Sequence, residues 1–359
     1  MDFEPMIETL GESGTAALGG LVIGAVFGAA AQRSQFCLRA ATVEFASGRL
    51  GPRMAVWLLT FSTALFWTHL LIALDLLDLT EARMLAQPGS ISGAVIGGLI
   101  FGCGMVLARG CSGRLLVLSA TGNLRALLAG LVFAVTAQMS LRGALAPVRE
   151  YFAGQWITGP TNIEVSAALG LGPQFGLVLG AAFAVAALVI AARSKVSTLM
   201  LFAGSGVGFC VAAGWWFTQT LSTQTFDPVQ VESLTFSGPS ADTLMFFLTP
   251  DAGLDFDVGL VPGVVIGAFL AALLAGEWKW QGFDQTHGMP RYLVGAAMMG
   301  MGAMLAGGCA IGAGVTGVSA LALTAWIALT FMWIGAVATD RLVDRGPAVR
   351  GAPMPVPAS

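Results

Sequence analysis

Charge is what this chain has least of. Of its 359 residues only 10% are Asp, Glu, Lys or Arg, while 56% are hydrophobic and mean hydropathy is +0.81. Soluble domains carry roughly 25% charged residues, so a water-covered surface of the usual kind is excluded and the chain belongs in a bilayer. A net charge of −3, with Tyr, Lys and Arg not interleaved, excludes a nucleic-acid surface. Histidine is also scarce: His69 and His287 lie far apart and the cysteines form no CxxC pair, so no zinc-ligand spacing occurs and neither a metal nor another cofactor is expected. Five cysteines in a chain of this length do not make a disulfide scaffold and read as thiols. Residues 1–13 carry Asp2, Glu4, Glu8 and Glu12 but no Lys or Arg. A secretory signal opens on a basic segment, so the N-terminus is expected to be retained.

What is present is a series of apolar runs, near 15–31, 54–74, 90–108, 124–141, 174–192, 197–216, 258–275, 292–306 and 320–338. They predict an all-α integral membrane protein of about nine transmembrane helices. Several fall short of the roughly 20 residues a straight crossing needs, which predicts additional short re-entrant helices. Arg33, Arg39, Arg49 and Arg53 crowd the first connection, whereas the segment from Phe217 to Val258 carries six acids and no Lys or Arg. The positive-inside rule then places the first connection and the Arg341–Arg350 tail in the cytoplasm and the N-terminus outside.

One ten-residue stretch occurs twice. Gly102-Cys103-Gly104-Met105-Val106-Leu107-Ala108-Arg109-Gly110-Cys111 returns as Gly300-Met301-Gly302-Ala303-Met304-Leu305-Ala306-Gly307-Gly308-Cys309, with six of ten positions identical. With nine crossings the first copy enters from outside and the second from inside, which predicts two pseudosymmetric inverted-repeat halves, 1–155 and 156–345, followed by a disordered tail at 346–359. A third, weaker element, Gln32 to Arg39, places Cys37 after Gly24 and Gly28 as Cys111 follows Gly98 and Gly102.

A broken membrane helix frees backbone N–H and C=O groups, tolerable only within protein or beside a wet cavity. Gly110 and Gly308 are expected to let the chain turn, and the residues after each cysteine, Ser112 and Ala310 onward, to open short helices whose N–H groups attract an anion beside a thiol. Packing is the alternative reading for any intramembrane cysteine, and it is the one adopted for Cys103 and Cys210. The glycine ladders at Gly93, Gly97 and Gly98 and at Gly176 and Gly180 are read as helix-contact faces. Arg109 and Arg114 mark the inner interface or lure an anion to it, and His69 is read as a polar helix-end residue. Trp57, Trp67, Trp156, Trp215, Trp216, Trp278 and Trp280 are read as an interfacial belt.

Gln32-Arg33-Ser34-Gln35-Phe36-Cys37, the Gly102–Cys111 motif, and Gly300–Cys309 followed by Ile311 to Ser319 together resemble the YeeE/YedE family of sulfur-transport membrane proteins. The resemblance covers most of the chain. It implies inward transport of thiosulfate or a closely related sulfur anion across a bacterial inner membrane, without enzymatic chemistry. The implied path is lined by Cys37, Cys111 and Cys309, which pass the ion along by transient S–H to S contacts. Gly110, Gly308, Ser112 and Ala310 flank those thiols. The implied partners are membrane lipid and a separate TusA-like sulfurtransferase in the cytoplasm. Two other readings stand beside this one: transport of a selenium compound, and a membrane thiol oxidoreductase passing electrons through the same cysteines.

Overall fold

Glycine sets how closely the helices of this protein pack. The computed structural model describes residues 3–172, 174–225, 229–250, 253–282 and 288–344. The tail at 346–359 and His287 lie outside the described residues. The chain runs through α1 (Glu4–Ser34), α2 (Leu38–Ala46), α3 (Pro52–Ala73), α4 (Arg83–Ala86), α5 (Ile91–Leu107), α6 (Ser112–Ala120), α7 (Leu124–Arg142) and α8 (Ala146–Ala153). It continues with α9 (Val165–Ala168), α10 (Phe175–Arg193), α11 (Thr198–Ser222), α12 (Gly238–Leu248), α13 (Phe256–Leu274) and α14 (Met289–Leu305). A wide π turn (Gly312–Gly317), α15 (Leu323–Thr339) and a second π turn (Asp340–Asp344) complete it. No strand forms among the described residues; isolated bridges only pin loops, as between Glu164 and Ala322.

The protein is an all-α membrane protein. Eight of its described helical segments are long and apolar enough to cross a bilayer. The one remaining apolar run, 292–306, forms α14, which at 17 residues is the shortest kind of crossing such a run allows. Without a hydrophobic drive between helices in lipid, close backbone approach supplies the packing. Gly20, Gly24 and Gly28 of α1 lie against the backbone of Phe256, Leu260 and Val264, while Gly259 and Gly263 of α13 lie against Ala17 and Leu21. Both indices rise together, so α1 and α13 run parallel. In α5 and α14 the order reverses: Gly97 meets Ala306 and Gly302, and Gly104 meets Gly295 and Met299. These two helices, each carrying one copy of the ten-residue stretch, are antiparallel.

The ladders read as contact faces sit at such crossings: Gly93 and Gly97 against α14, Gly98 against α15, Gly176 and Gly180 against α3. Two tryptophans do not belong to an interfacial belt. Trp57 is buried, stacked on Phe61 with ring centroids 5.2 Å apart, and Trp215 is buried with its Nε1–H donating to Ser319 Oγ at 3.2 Å. A buried indole needs a partner for its N–H, and tertiary packing supplied one for Trp215.

Candidate translocation site

Three helices end in the same local conformation. After α1, Gln35 takes a left-handed conformation (φ 53) and Cys37 two residues later caps α2. After α5, Arg109 is left-handed (φ 57) and Cys111 caps α6; after α14, Gly307 is left-handed (φ 77) and Cys309 leads into the π turn. A left-handed residue ends a helix by turning the chain out of the spiral. The turn therefore falls one residue before Gly110 and Gly308, on Arg109 and Gly307, correcting the expectation from sequence. Gly308 contributes in another way. A Cβ there would stand 2.6 Å from the Ala313 nitrogen, so its bare Cα lets the π turn fold back. Gly110 is less confined, with Leu115 Cδ2 3.3 Å from such a Cβ.

The breaks bring Cys37 and Cys111 together, side chain to side chain. The backbone of Ala40 and Cys111 lies near the Cys37 sulfur and that of Arg114 and Leu38 near the Cys111 sulfur, although neither thiol makes a capping hydrogen bond to its own helix. Cys309, apart from this pair, does accept backbone hydrogen bonds. Its sulfur accepts from Gly312 N, three residues on, at 3.5 Å and from Phe236 N at 3.4 Å. All three thiols are buried and unbridged.

The facing segment for Cys309, Val231 to Ser237, is the part of the site that sequence reasoning missed. Phe236 donates to Cys309 at 3.4 Å, and its neighbour Thr235 has Oγ1 4.0 Å from Cys309 Sγ. No cysteine marks this segment, and its position within an acid-rich connection hid it. Several of those acids have structural partners: Asp255 Oδ1 accepts from Val258 N at 2.7 Å, and Glu232 pairs with Arg83 at 3.5 Å. Burial pushes the Glu232 carboxyl up despite that arginine.

An apolar waist joins the start of α6 to the Cys309 arm. The Phe236 and Phe27 rings pack with centroids 5.1 Å apart, and a Cβ on Gly113 would stand 3.3 Å from Phe236 Cδ2 and 3.6 Å from Ile311 Cγ1. Ser112, first residue of α6, is buried with its hydroxyl unpartnered, whereas Ala310 is buried in the turn before the π segment and opens no helix. The Thr235 side chain packs into the space that Gly312 leaves by having no side chain.

Arg114 belongs to the thiol pair, since its charge faces both Cys37 and Cys111. Its Nη1 donates to Gln32 Oε1 at 3.4 Å, Gln32 Nε2 donates to Glu277 at 3.0 Å, and Arg33 pairs with Glu277 at 3.3 Å. Arg109 stands apart with a buried, unpartnered Nε. Of the cysteines left to packing, Cys103 donates to the Gly335 carbonyl at 3.6 Å across α5 and α15, and Cys210 is buried in α11.

A family model described as sulphur transport matches residues 33–338. The chain belongs to that family. It is 31% identical over 339 residues to the thiosulfate transporter TsuA of Spirochaeta thermophila, covering 88% of this chain and 96% of that one. It is 26% identical over 345 residues to the thiosulfate transporter TsuA of Escherichia coli, covering 91% and 94%. The matched region contains all three thiol breaks and the Thr235–Phe236 segment.

Proposed function

We propose that this family member takes up thiosulfate, or a closely related sulfur anion, through two stations built from the three thiols. The observation that carries the reading is the repeated break itself: three buried thiols, each set two residues after a left-handed residue that ends a membrane helix, with two N–H donors on Cys309. A thiosulfate ion has a terminal sulfur for the thiol and oxygens for N–H donors, and the N–H groups replace part of the hydration a dianion loses on entering protein. Cys309 with Thr235 forms the station on the acidic face, Cys37 with Cys111 the station on the Arg-rich face, and the Phe236 waist lies beside Cys309. The ion moves from Cys309 to Cys111 and Cys37 with no covalent bond made or broken. Ser112 offers its hydroxyl, and Gly110 and Gly308 hold the loops close. Arg114 draws the anion toward the cytoplasm.

The antiparallel α5 and α14 support an inverted repeat of the 1–155 and 156–345 halves. The basic first connection supports a cytoplasmic position for the Cys37–Cys111 side, in a bacterial inner membrane with the N-terminus outside. A TusA-like sulfurtransferase is the class of protein that would accept the delivered sulfur.

The test is uptake of ³⁵S-labelled thiosulfate by a sulfur-auxotrophic host lacking its own uptake systems. Wild-type protein supports accumulation and growth; Cys111→Ala at matched expression supports neither. Equal growth by the two would defeat the relay. The contact between Cys37 and Cys111 also favours a thiol oxidoreductase, which requires those two thiols to become a disulfide during turnover. Differential alkylation and mass spectrometry of protein recovered from transporting cells separates the readings, because relay leaves both thiols free.

A further inference from the structure

Two helices at the Arg-rich face begin against the usual electrostatics. Arg39 is the second residue of α2 and Arg291 the third of α14, so each puts a cation in a first turn, where the helix dipole favours anions. Neither first turn holds an acid. An anion set between the two arginines removes the conflict, and the end of the described chain supplies one. Asp344, in the last π turn, accepts from Arg39 Nη2 through Oδ2 at 3.4 Å and from Arg291 Nη2 through Oδ1 at 2.6 Å. Its side chain is only 16% exposed, so this is no solvated surface pair. One carboxylate does not saturate the two arginines. A guanidinium is a fork of N–H donors, and the Nε of Arg39 and of Arg291 are both buried without a partner. Two cations also face one anion here, since Asp340 and Arg341 of the same turn offset each other in charge.

We propose that Arg39 and Arg291 form a binding site for a tetrahedral sulfur oxyanion, with Asp344 as its tethered competitor. Such an ion presents more acceptor atoms than a carboxylate and carries a second negative charge. It therefore matches the unused donors and the excess positive charge better than Asp344 does. The site is separate from the thiols but continuous with them along the chain. Arg39 lies two residues beyond Cys37, and Arg291 opens the helix whose far end leads to Cys309.

The site stands on its own geometry, whereas its role in release rests on the transport reading above. An ion leaving Cys37 passes to the arginine pair, and the carboxylate then returns to displace it. A pair of arginines that held a dianion without a competitor would let it go slowly. The tether keeps that competitor at a high effective concentration whatever anions surround the protein. No covalent bond changes; one anion replaces another on the same donors.

The site is tested by equilibrium binding of ³⁵S-sulfate to purified full-length protein at low ionic strength, where charge is least screened. Sulfate offers oxygens but no terminal sulfur for the thiols. Asp344→Asn is expected to bind it at least roughly tenfold more tightly than wild type, because a competitor at high effective concentration is gone. Asp344→Ser is expected to do the same and decides the matter if the Asn variant does not fold. The gain should vanish when Arg39→Gln is added to either. Asp78→Asn, in the loop beyond the far end of α3, makes the same change of charge and should give no gain; Asp78 Oδ1 accepts from Thr80 N at 2.9 Å. Sulfate bound no more tightly without Asp344, a gain that survives Arg39→Gln, or an equal gain in Asp78→Asn overturns the site. The release role is read from ³⁵S-thiosulfate uptake into proteoliposomes loaded with sulfate. Internal sulfate should inhibit Asp344→Asn at roughly tenfold lower concentration than wild type. Equal inhibition overturns the release role and leaves transport standing. Absence of uptake by wild type refutes transport and with it that role, while sulfate binding still decides the site.

Discussion

The backbone N–H of Phe236 points at Cys309 Sγ from 3.4 Å, across 73 residues of sequence. Together with Gly312 N at 3.5 Å it makes Cys309 a sulfur with two fixed donors, and any anion that approaches the thiol meets those donors as well. Removing the thiol leaves two buried N–H groups without their acceptor. A hydrogen bond to a charged group contributes about 1.5–3 kcal/mol, so Cys309→Ala should reduce ³⁵S-thiosulfate uptake at least roughly tenfold at equal protein level. Thr235→Cys, which adds a second thiol beside Cys309, should keep uptake within about threefold of wild type. Uptake by Cys309→Ala at the wild-type rate would remove this station from the path.

Cys37 and Cys111 are neighbours, whereas Cys309 sits on another arm, with Phe236 packed against Phe27 beside it. Mild oxidation with copper phenanthroline should therefore join Cys37 to Cys111 and no other pair among these three thiols, and should block uptake until a reductant is added. Peptide mapping under non-reducing conditions identifies the pair; a Cys111–Cys309 link would show that the waist opens far more widely than the packing implies.

The parallel crossing of α1 and α13 leaves no room for side chains. A Cβ on Gly263 would overlap the Leu21 carbonyl, and rigid backbone, unlike a flexible side-chain tip, cannot retreat. Gly263→Val should cost about 3 kcal/mol or more, seen as a lower thermal midpoint in detergent by size-exclusion or fluorescence assay. Gly130, with nothing near its Cβ position, should accept Ala with little change in the same assay.

Glu232 titrates higher in the folded chain than in the unfolded one because burial outweighs the stabilising charge of Arg83. The folded state thus holds this proton more tightly, and stability falls as pH rises from the ordinary carboxylate range toward the raised folded value. Thermal midpoints measured across that window should decline more steeply in wild type than in Glu232→Gln. A steeper decline in the variant would mean that Arg83 dominates.

Much of this architecture is local information. Runs of apolar residues determine where helices form, since in lipid only intrahelical hydrogen bonding satisfies the backbone. The duplicated Gly-x-Gly-x-x-Leu-Ala-x-Gly-Cys pattern locates Cys111 and Cys309, and the charge asymmetry separates an Arg-rich face from an acidic one. The left-handed turn was only half legible: Gly307 announces it, but Arg109 and Gln35 adopt the same conformation without the residue that usually signals it.

What only the tertiary structure decided are the pairings between distant segments. Thr235 and Phe236 become part of the site because the 231–237 segment lies against the Cys309 arm, and no periodicity in that segment encodes the approach. Trp57 and Trp215 look interfacial from their place near run ends and are buried because neighbouring helices cover them. His69 looks like a helix-end residue until α10 and the 161–167 loop enclose it. Sequence determines local conformation through short-range sterics and hydropathy; which sulfur meets which N–H is set by long-range packing at the glycine crossings.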